Sequence, residues 1–273
     1  MTDAQFKDGI RYAEDNFMNN RAPHLHVDKK LISENFDLTG KKILDFGSGM
    51  GGMSLWYAVN WDCEVHGIDI DAHHVTIADA VKKKHNIPNV RFEVRNVLER
   101  PLTEKYDYIF LNDVAEHIAL PILEPILQQL ADSVSEEGRV FITYPPWKSP
   151  YASHVQHVTK IPWCQFLPDR ILLPMIERNN LTLVGEEEST LLDSYHGLNR
   201  LTHKKLIPLV RKAGLETDFR KSHCILNRIS GLKDANIRVW PLDYLITKEF
   251  LLLKRAGAQS HRKQDKFRVA AAF

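Results

Sequence analysis

The sequence has little cysteine, no excess of either charge, no internal repeat and no apolar run long enough to cross a bilayer. Its three cysteines, Cys63, Cys164 and Cys224, are far apart and odd in number. That excludes a disulfide framework and a Cys-x-x-Cys motif, and fits a reducing compartment. Each is expected to serve as a small buried apolar residue. A spanning helix needs about 20 consecutive apolar residues, and none exist here. The opening stretch MTDAQFKDGIRYAEDNF is polar and acidic where a secretory signal would be basic and then apolar, so a cytoplasmic location is expected. With 36 basic against 35 acidic side chains the formal charge is +1, which gives no general reason to bind nucleic acid or an anionic membrane. The oligomeric state leaves no trace in the sequence.

What is present is an alternation of short apolar runs with helical patterns over a chain of 273 residues. Residues 1–36 carry Phe6, Ile10, Ala13 and Phe17 at helical spacing, then a second short helix from near Val27, and read as a helical lid. Strands are expected at Lys42–Phe46, Cys63–Ile70, Val90–Val94, Tyr106–Leu111 and Arg139–Tyr144, the last introduced by the turn Glu136-Glu137-Gly138. Helices between them imply a mostly parallel sheet covered on both faces. Residues 37–144 are thus a core domain. From 145 to 201 six prolines interleave with Trp147, Tyr151, Trp163 and Phe166, which reads as an insertion with one helix over Asp169–Arg178. Residues 202–255 return to the core: a helix capped by Thr202, stopped by Gly214 and kinked by Pro208, then strands at Leu215–Leu226 and Leu245–Leu253. The basic tail, 256–273, has no apolar face and reads as a loose end.

The most informative segment is Ile43–Gly52, ILDFGSGMGG, where a strand turns sharply into a helix. Gly47, Gly49 and Gly51 suit a tight turn or a ligand lying against bare backbone, and the next helix offers free N–H groups. Gly47, Gly49 and Gly52 also spell the dinucleotide pattern G-x-G-x-x-G. Asp45 separates the readings, because a carboxylate is awkward beside a pyrophosphate and well suited to a ligand carrying an ammonium and a sulfonium. The second strand ends in GIDID, so Asp69 can accept hydrogen bonds from both hydroxyls of a ribose, while Asp71 reads as a helix cap.

ILDFGSGMGG, GIDID and YDYIFLNDVAEHI, in this order, resemble the motifs of class I S-adenosylmethionine-dependent methyltransferases. The resemblance covers Lys41–Tyr144 closely and the final helix and two strands more loosely. It implies a Rossmann-like, seven-stranded α/β sheet with an antiparallel last strand and an inserted substrate region after strand five. It further implies that Asp45, Gly47, Ser48, Gly49 and Gly51 surround the methionine part of S-adenosylmethionine and that Asp69, followed by Ile70, holds the ribose. Asn96 and Val97 would lie beside the adenine, and Asn112 at the methionine end. Many members have Asp where this chain has Asn96, so an adenine contact there would be neutral.

The acceptor side is less defined. Glu116 and His117 follow the fourth strand by one turn and are candidates for acceptor contact. Tyr144-Pro145-Pro146-Trp147 resembles the Asn/Asp-Pro-Pro-Tyr/Trp motif of base methylases, but it follows the fifth strand and begins with Tyr, so it reads as a rigid turn. His154 and His157 would share a face if SHVQH were helical. No further metal ligand is signalled nearby, so no metal is expected. Candidate bases are His154, then His157 and His117. Tyr144, Trp147, Tyr151 and Trp163 can wall an acceptor pocket or pack the insertion. The expected activity is methyl transfer to a small molecule, at oxygen, with nitrogen or carbon as alternatives. An oxidoreductase or a non-catalytic domain of the same fold is the remaining option.

Overall fold

The computed structural model describes residues 1–22, 25–179, 190–233 and 235–258. Seven strands form one sheet: β1 (Lys42–Phe46), β2 (Glu64–Asp69), β3 (Val90–Val94), β4 (Tyr106–Asn112), β5 (Val134–Tyr144), β6 (Leu215–Cys224) and β7 (Ile246–Arg255), in the order β3-β2-β1-β4-β5-β7-β6. β1 to β5 pair in parallel, and β7 runs antiparallel between β5 and β6. The order reverses at β1, with β2 on one side and β4 on the other. That switch point opens a crevice at the carboxyl ends of the strands, where open α/β sheets take their ligands.

The central strands are apolar along nearly their whole length because both faces are covered. One face packs under α1 (Asp3–Met18), α3 (Gly52–Asn60) and α4 (Ala72–Lys84), around Phe36, Phe110, Phe141 and Phe250. The other packs Leu44, Ile109, Leu111, Leu127, Val140 and Leu251 under α5 (Leu120–Ser133) and the late helix over His203–Lys212. α2 (His26–Asn35) is tied to α1 by Lys29, whose buried ammonium donates to the carbonyls of Asn16, Phe17 and Asn19. Burial lowers that lysine to about 8. The insertion holds α6 (Gln156–Thr159), α7 (Asp169–Glu177) and α8 (Leu191–Gly197) around a small core of its own: Val155, Cys164, Leu172, Ile176, Leu191, Tyr195 and Leu198. The helix at 203–212, α9, has Thr202 accepting from the Lys205 amide and Gly214 at φ +74° beyond its end, a left-handed stop that glycine adopts freely.

Several elements depart from the sequence reading, among them α6, a single short turn of helix in the insertion. β5 begins at Val134, not Arg139, because Val134 pairs with Tyr106 across a register shift and Glu136–Gly138 ride in the strand as an irregularity. β6 ends at Cys224, and the chain then turns through Ile225–Arg228. α8 carried too few residues to announce itself by periodicity. The three cysteines are free and buried, as expected. Among the described residues no helix is long and apolar enough to cross a membrane. The tail reading falls mostly on residues outside those described.

Candidate active site

The crevice is built first by the turn after β1. Gly47, Gly49 and Gly51 have φ of +69°, +51° and +82°. The amides of Gly47 and Ser48 both donate to the Ile68 carbonyl at 2.9 Å, which holds the turn against β2. A Cβ on Gly47 would meet Val114 at 2.7 Å, so that glycine is required by packing. Gly49 differs, because a Cβ there would meet nothing within 4 Å. Its bare backbone faces open space, the condition under which a ligand can lie directly against the chain. Gly49→Ala should therefore fold, at a cost of about 1–2 kcal/mol for the left-handed backbone. It should also lose cofactor affinity, read as a near-normal melting curve with weakened binding of S-adenosylhomocysteine.

Asp69 closes the turn from the side. One carboxylate oxygen accepts the Gly49 amide at 2.8 Å and the other the Asp71 amide at 2.9 Å. Burial pushes this carboxyl up, but His74 and the Asp71 and Gly49 amides outweigh it, so Asp69 stays below its ordinary range. A carboxylate has about four lone-pair sites, which leaves room for a ligand diol. Asp71 caps α4 by accepting from His73 and His74, as its position suggested. Asp45 lies beneath the turn, 2% exposed, and accepts the Ser54 hydroxyl at 2.5 Å. Burial raises it to about 6. Asn112, at the end of β4, donates to the buried Tyr57 hydroxyl at 2.8 Å.

Two polar atoms beside the turn, Ser48 Oγ and Asn112 Oδ1, are buried without a hydrogen-bond partner among the described residues, a state natural structures rarely leave uncompensated. Beyond Asp69, Ile70 is 77% exposed, and Leu98, past the end of β3, is 43% exposed. Val97 is buried, and Asn96 accepts the Leu98 amide at 3.1 Å in a local turn. Bare backbone, unpaired polar atoms, an ionised carboxylate and exposed apolar side chains in sequence fit a ligand with an amino-acid end, a sugar and a flat base. S-adenosylmethionine has those parts in that order.

The second half of the site follows β4. Asp113 takes φ +54°, and its amide donates to the Thr143 carbonyl. The short turn Ala115–His117 is pinned by Asn199, whose side chain donates to the carbonyls of Ala115 and Ile118 and whose amide donates to that of Glu116. Glu116 is 2% exposed, and neither carboxylate oxygen has a hydrogen-bond partner among the described residues. Burial and then Asp113 push its carboxyl well above the ordinary value. His154 Nε2 lies 4.0 Å from Glu116 Oε1, and the His154 and His117 rings are 5.0 Å apart. His117 is exposed at the surface, yet the surrounding protein strips water from part of the ring and lowers its pKa.

His154 has φ +57° and precedes α6, which starts at Gln156. It therefore does not share a helix face with His157, whose side chain lies outside the described residues. The fold gives His154 different neighbours, Glu116 and His117. Trp163 is anchored by its indole N–H, which donates to the carbonyls of Lys148 and Tyr244 at 3.1 Å each. Trp147 packs near Tyr195 and the Arg200 guanidinium. Both thus brace the insertion. Tyr144 is wholly buried with its hydroxyl unpaired among the described residues, and Tyr151 is exposed.

Sequence reasoning missed Asn199, Asp28 and Lys248. The Lys248 ammonium bonds Asp28 and Asp113, at 2.6 Å each, joining β7, α2 and the turn after β4. No local spacing connects residues so far apart in sequence.

The sequence matches a family described as a methyltransferase domain over residues 37–180. It is 28% identical over 120 residues to phosphoethanolamine N-methyltransferase of Plasmodium falciparum (isolate 3D7), covering 44% of each chain. It is also 28% identical over 105 residues to phosphoethanolamine N-methyltransferase 2 of Caenorhabditis elegans, covering 38% of this chain and 24% of that one. The matches thus span less than half the length of these relatives. An S-adenosylmethionine-dependent methyltransferase from Clostridium acetobutylicum ATCC 824 has the same fold, with TM-score 0.58 and 10% identity over 92% of this chain and 99% of that one. With more than half of its residues inside the matched domain and the motif turns assembled at the switch point, the chain belongs to the class I, S-adenosylmethionine-dependent methyltransferase family.

Proposed function

We propose that this chain moves a methyl group from S-adenosylmethionine to the oxygen of a small-molecule acceptor, with His154 taking the proton. The observation that carries the reading is the meeting of Glu116, His117 and His154 on the acceptor side of the glycine turn. S-adenosylmethionine supplies a methyl already activated on sulfur. The chain then has to align the acceptor and exclude water, which is worth roughly 7–11 kcal/mol. Asp69 and the turn fix the cofactor end, and the insertion, 145–201, covers the acceptor. A hydroxyl that attacks must lose its proton, and the partly exposed imidazole of His154 is placed to receive it. Such a base contributes about 10²–10⁴ in rate, less than alignment does.

An amine acceptor is the second reading. Two relatives are phosphoethanolamine N-methyltransferases by name, and the unpaired carboxylate of Glu116 would suit a cationic group. The readings part in a methyl-transfer assay with labelled S-adenosylmethionine and two acceptor sets, phenols and aliphatic alcohols against phosphoethanolamine and simple amines. Turnover confined to the hydroxyl set, slowed about 10²–10⁴-fold in His154→Asn, is the expected result. Turnover confined to the amines would replace it.

A further inference from the structure

Glu116, His117 and His154 present one imidazole nitrogen or carboxylate oxygen each, all within 4.8 Å of one another. Ligand atoms held at about 2.1 Å from one ion lie roughly 3–4 Å apart. Side-chain adjustments of about 1 Å would therefore close the set. Glu116 is the second and independent pointer. Its carboxylate is almost wholly enclosed, yet neither oxygen is hydrogen-bonded among the described residues. An unpaired buried carboxylate is costly. The nearby ammonium does not relieve it, because Lys248 bonds Asp28 and Asp113. His117 reaches solvent, which provides a way in.

We propose that Glu116, His117 and His154 bind a divalent transition-metal ion on the acceptor side of the crevice. Two imidazoles and one carboxylate favour ions of intermediate softness, such as zinc, manganese, iron or cobalt, over magnesium or calcium. Three protein ligands leave positions open for an acceptor oxygen. A hydroxyl held on the ion gives its proton to water more readily. Its oxygen pair then forms the bond to the methyl carbon while the carbon–sulfur pair returns to sulfur, leaving S-adenosylhomocysteine. The inference rests on the acceptor reading above and changes one part of it: in the ion-loaded protein His154 is a ligand, and the proton leaves to solvent.

The test uses the untagged full chain, stripped with a chelator and dialysed, with neither cofactor nor acceptor present. Co²⁺ is titrated in and followed by its visible absorption, with Zn²⁺ followed by calorimetry. A single site per chain is expected. Glu116→Gln and His154→Asn should each weaken it at least about 10-fold, whereas His196→Asn, an exposed histidine in α8, should not. Absence of saturable binding, or binding unchanged in both variants, overturns the site. If Glu116→Gln does not fold, His154→Asn, at a partly exposed position, decides alone. A parallel titration with S-adenosylhomocysteine separates the failures: metal binding without nucleoside binding keeps the site and sinks the methyltransferase reading. Nucleoside binding without metal binding does the reverse and leaves His154 as the base.

Discussion

Asp69→Ala is expected to weaken S-adenosylhomocysteine binding by at least about 10², with Asp69→Asn between it and the unaltered chain. Hydrogen bonds to a charged acceptor contribute roughly 1.5–3 kcal/mol each, and a ribose offers two hydroxyls. The structure adds a second cost. The same carboxylate accepts the Gly49 and Asp71 amides, so removing it also frees the glycine turn on which the methionine end would rest. The ionised form is held by His74 and those amides against burial, and the acceptor is therefore fully charged at neutral pH. Calorimetric titration reads the affinity. A melting curve reads the loss of the amide contacts, about 1–3 kcal/mol. An unchanged affinity in Asp69→Ala would mean that the sugar lies elsewhere, and the cofactor geometry would have to be redrawn.

The contrast between Asp69 and Glu116 explains how far the sequence could be read. Asp69 stands at the end of a strand that announces itself, in a motif whose parts are separated by a few residues, so its place follows from local pattern. Gly47, Gly49 and Gly51 were legible for the same reason: positive φ and bare backbone are demands that few other residues meet. The positions of the strands follow from apolar runs buried on both faces, whereas the antiparallel last strand was implied only by the family resemblance and the order β3-β2-β1-β4-β5-β7-β6 had no local signal. What failed to appear were contacts that depend on tertiary closure. His154 was paired with His157 by spacing, whereas a left-handed residue takes it out of that helix and turns it to Glu116 and His117. No metal was expected because no further ligand is signalled near SHVQH in the sequence. In the fold a carboxylate does stand near His154: Glu116, on the turn after β4, which Asn199 holds from the far end of the insertion. For Trp163, read either as a pocket wall or as packing for the insertion, the fold adds two carbonyl partners of the indole N–H that no local pattern could show.

The second large effect is expected at a position with no motif at all. Lys248→Met should destabilise the fold by about 3–5 kcal/mol, the usual result of removing one partner of a buried ion pair. Asp28 has no exposed surface, and Lys248 and Asp113 are only slightly and partly exposed. Burial already pushes Asp28 up to about 6 in spite of the neighbouring ammonium, so without Lys248 its charge has no counterpart and the carboxyl would have to stay protonated. A group whose folded pKa is raised stabilises the fold most below the unfolded value, near 3.8, and loses that contribution as pH climbs through about 6. The penalty of Lys248→Met should accordingly be small near pH 4 and largest above pH 6. Denaturant midpoints at both pH values measure it. Asp28→Asn on top of Lys248→Met should recover part of the loss and flatten its pH dependence, because the uncompensated charge is then gone. The same substitution frees Asp113 and α2 together, so that helix and the turn carrying Glu116 lose a shared anchor. If the midpoint falls equally at both pH values, the side chain acts through packing alone, and the electrostatic link between α2 and the turn after β4 is absent.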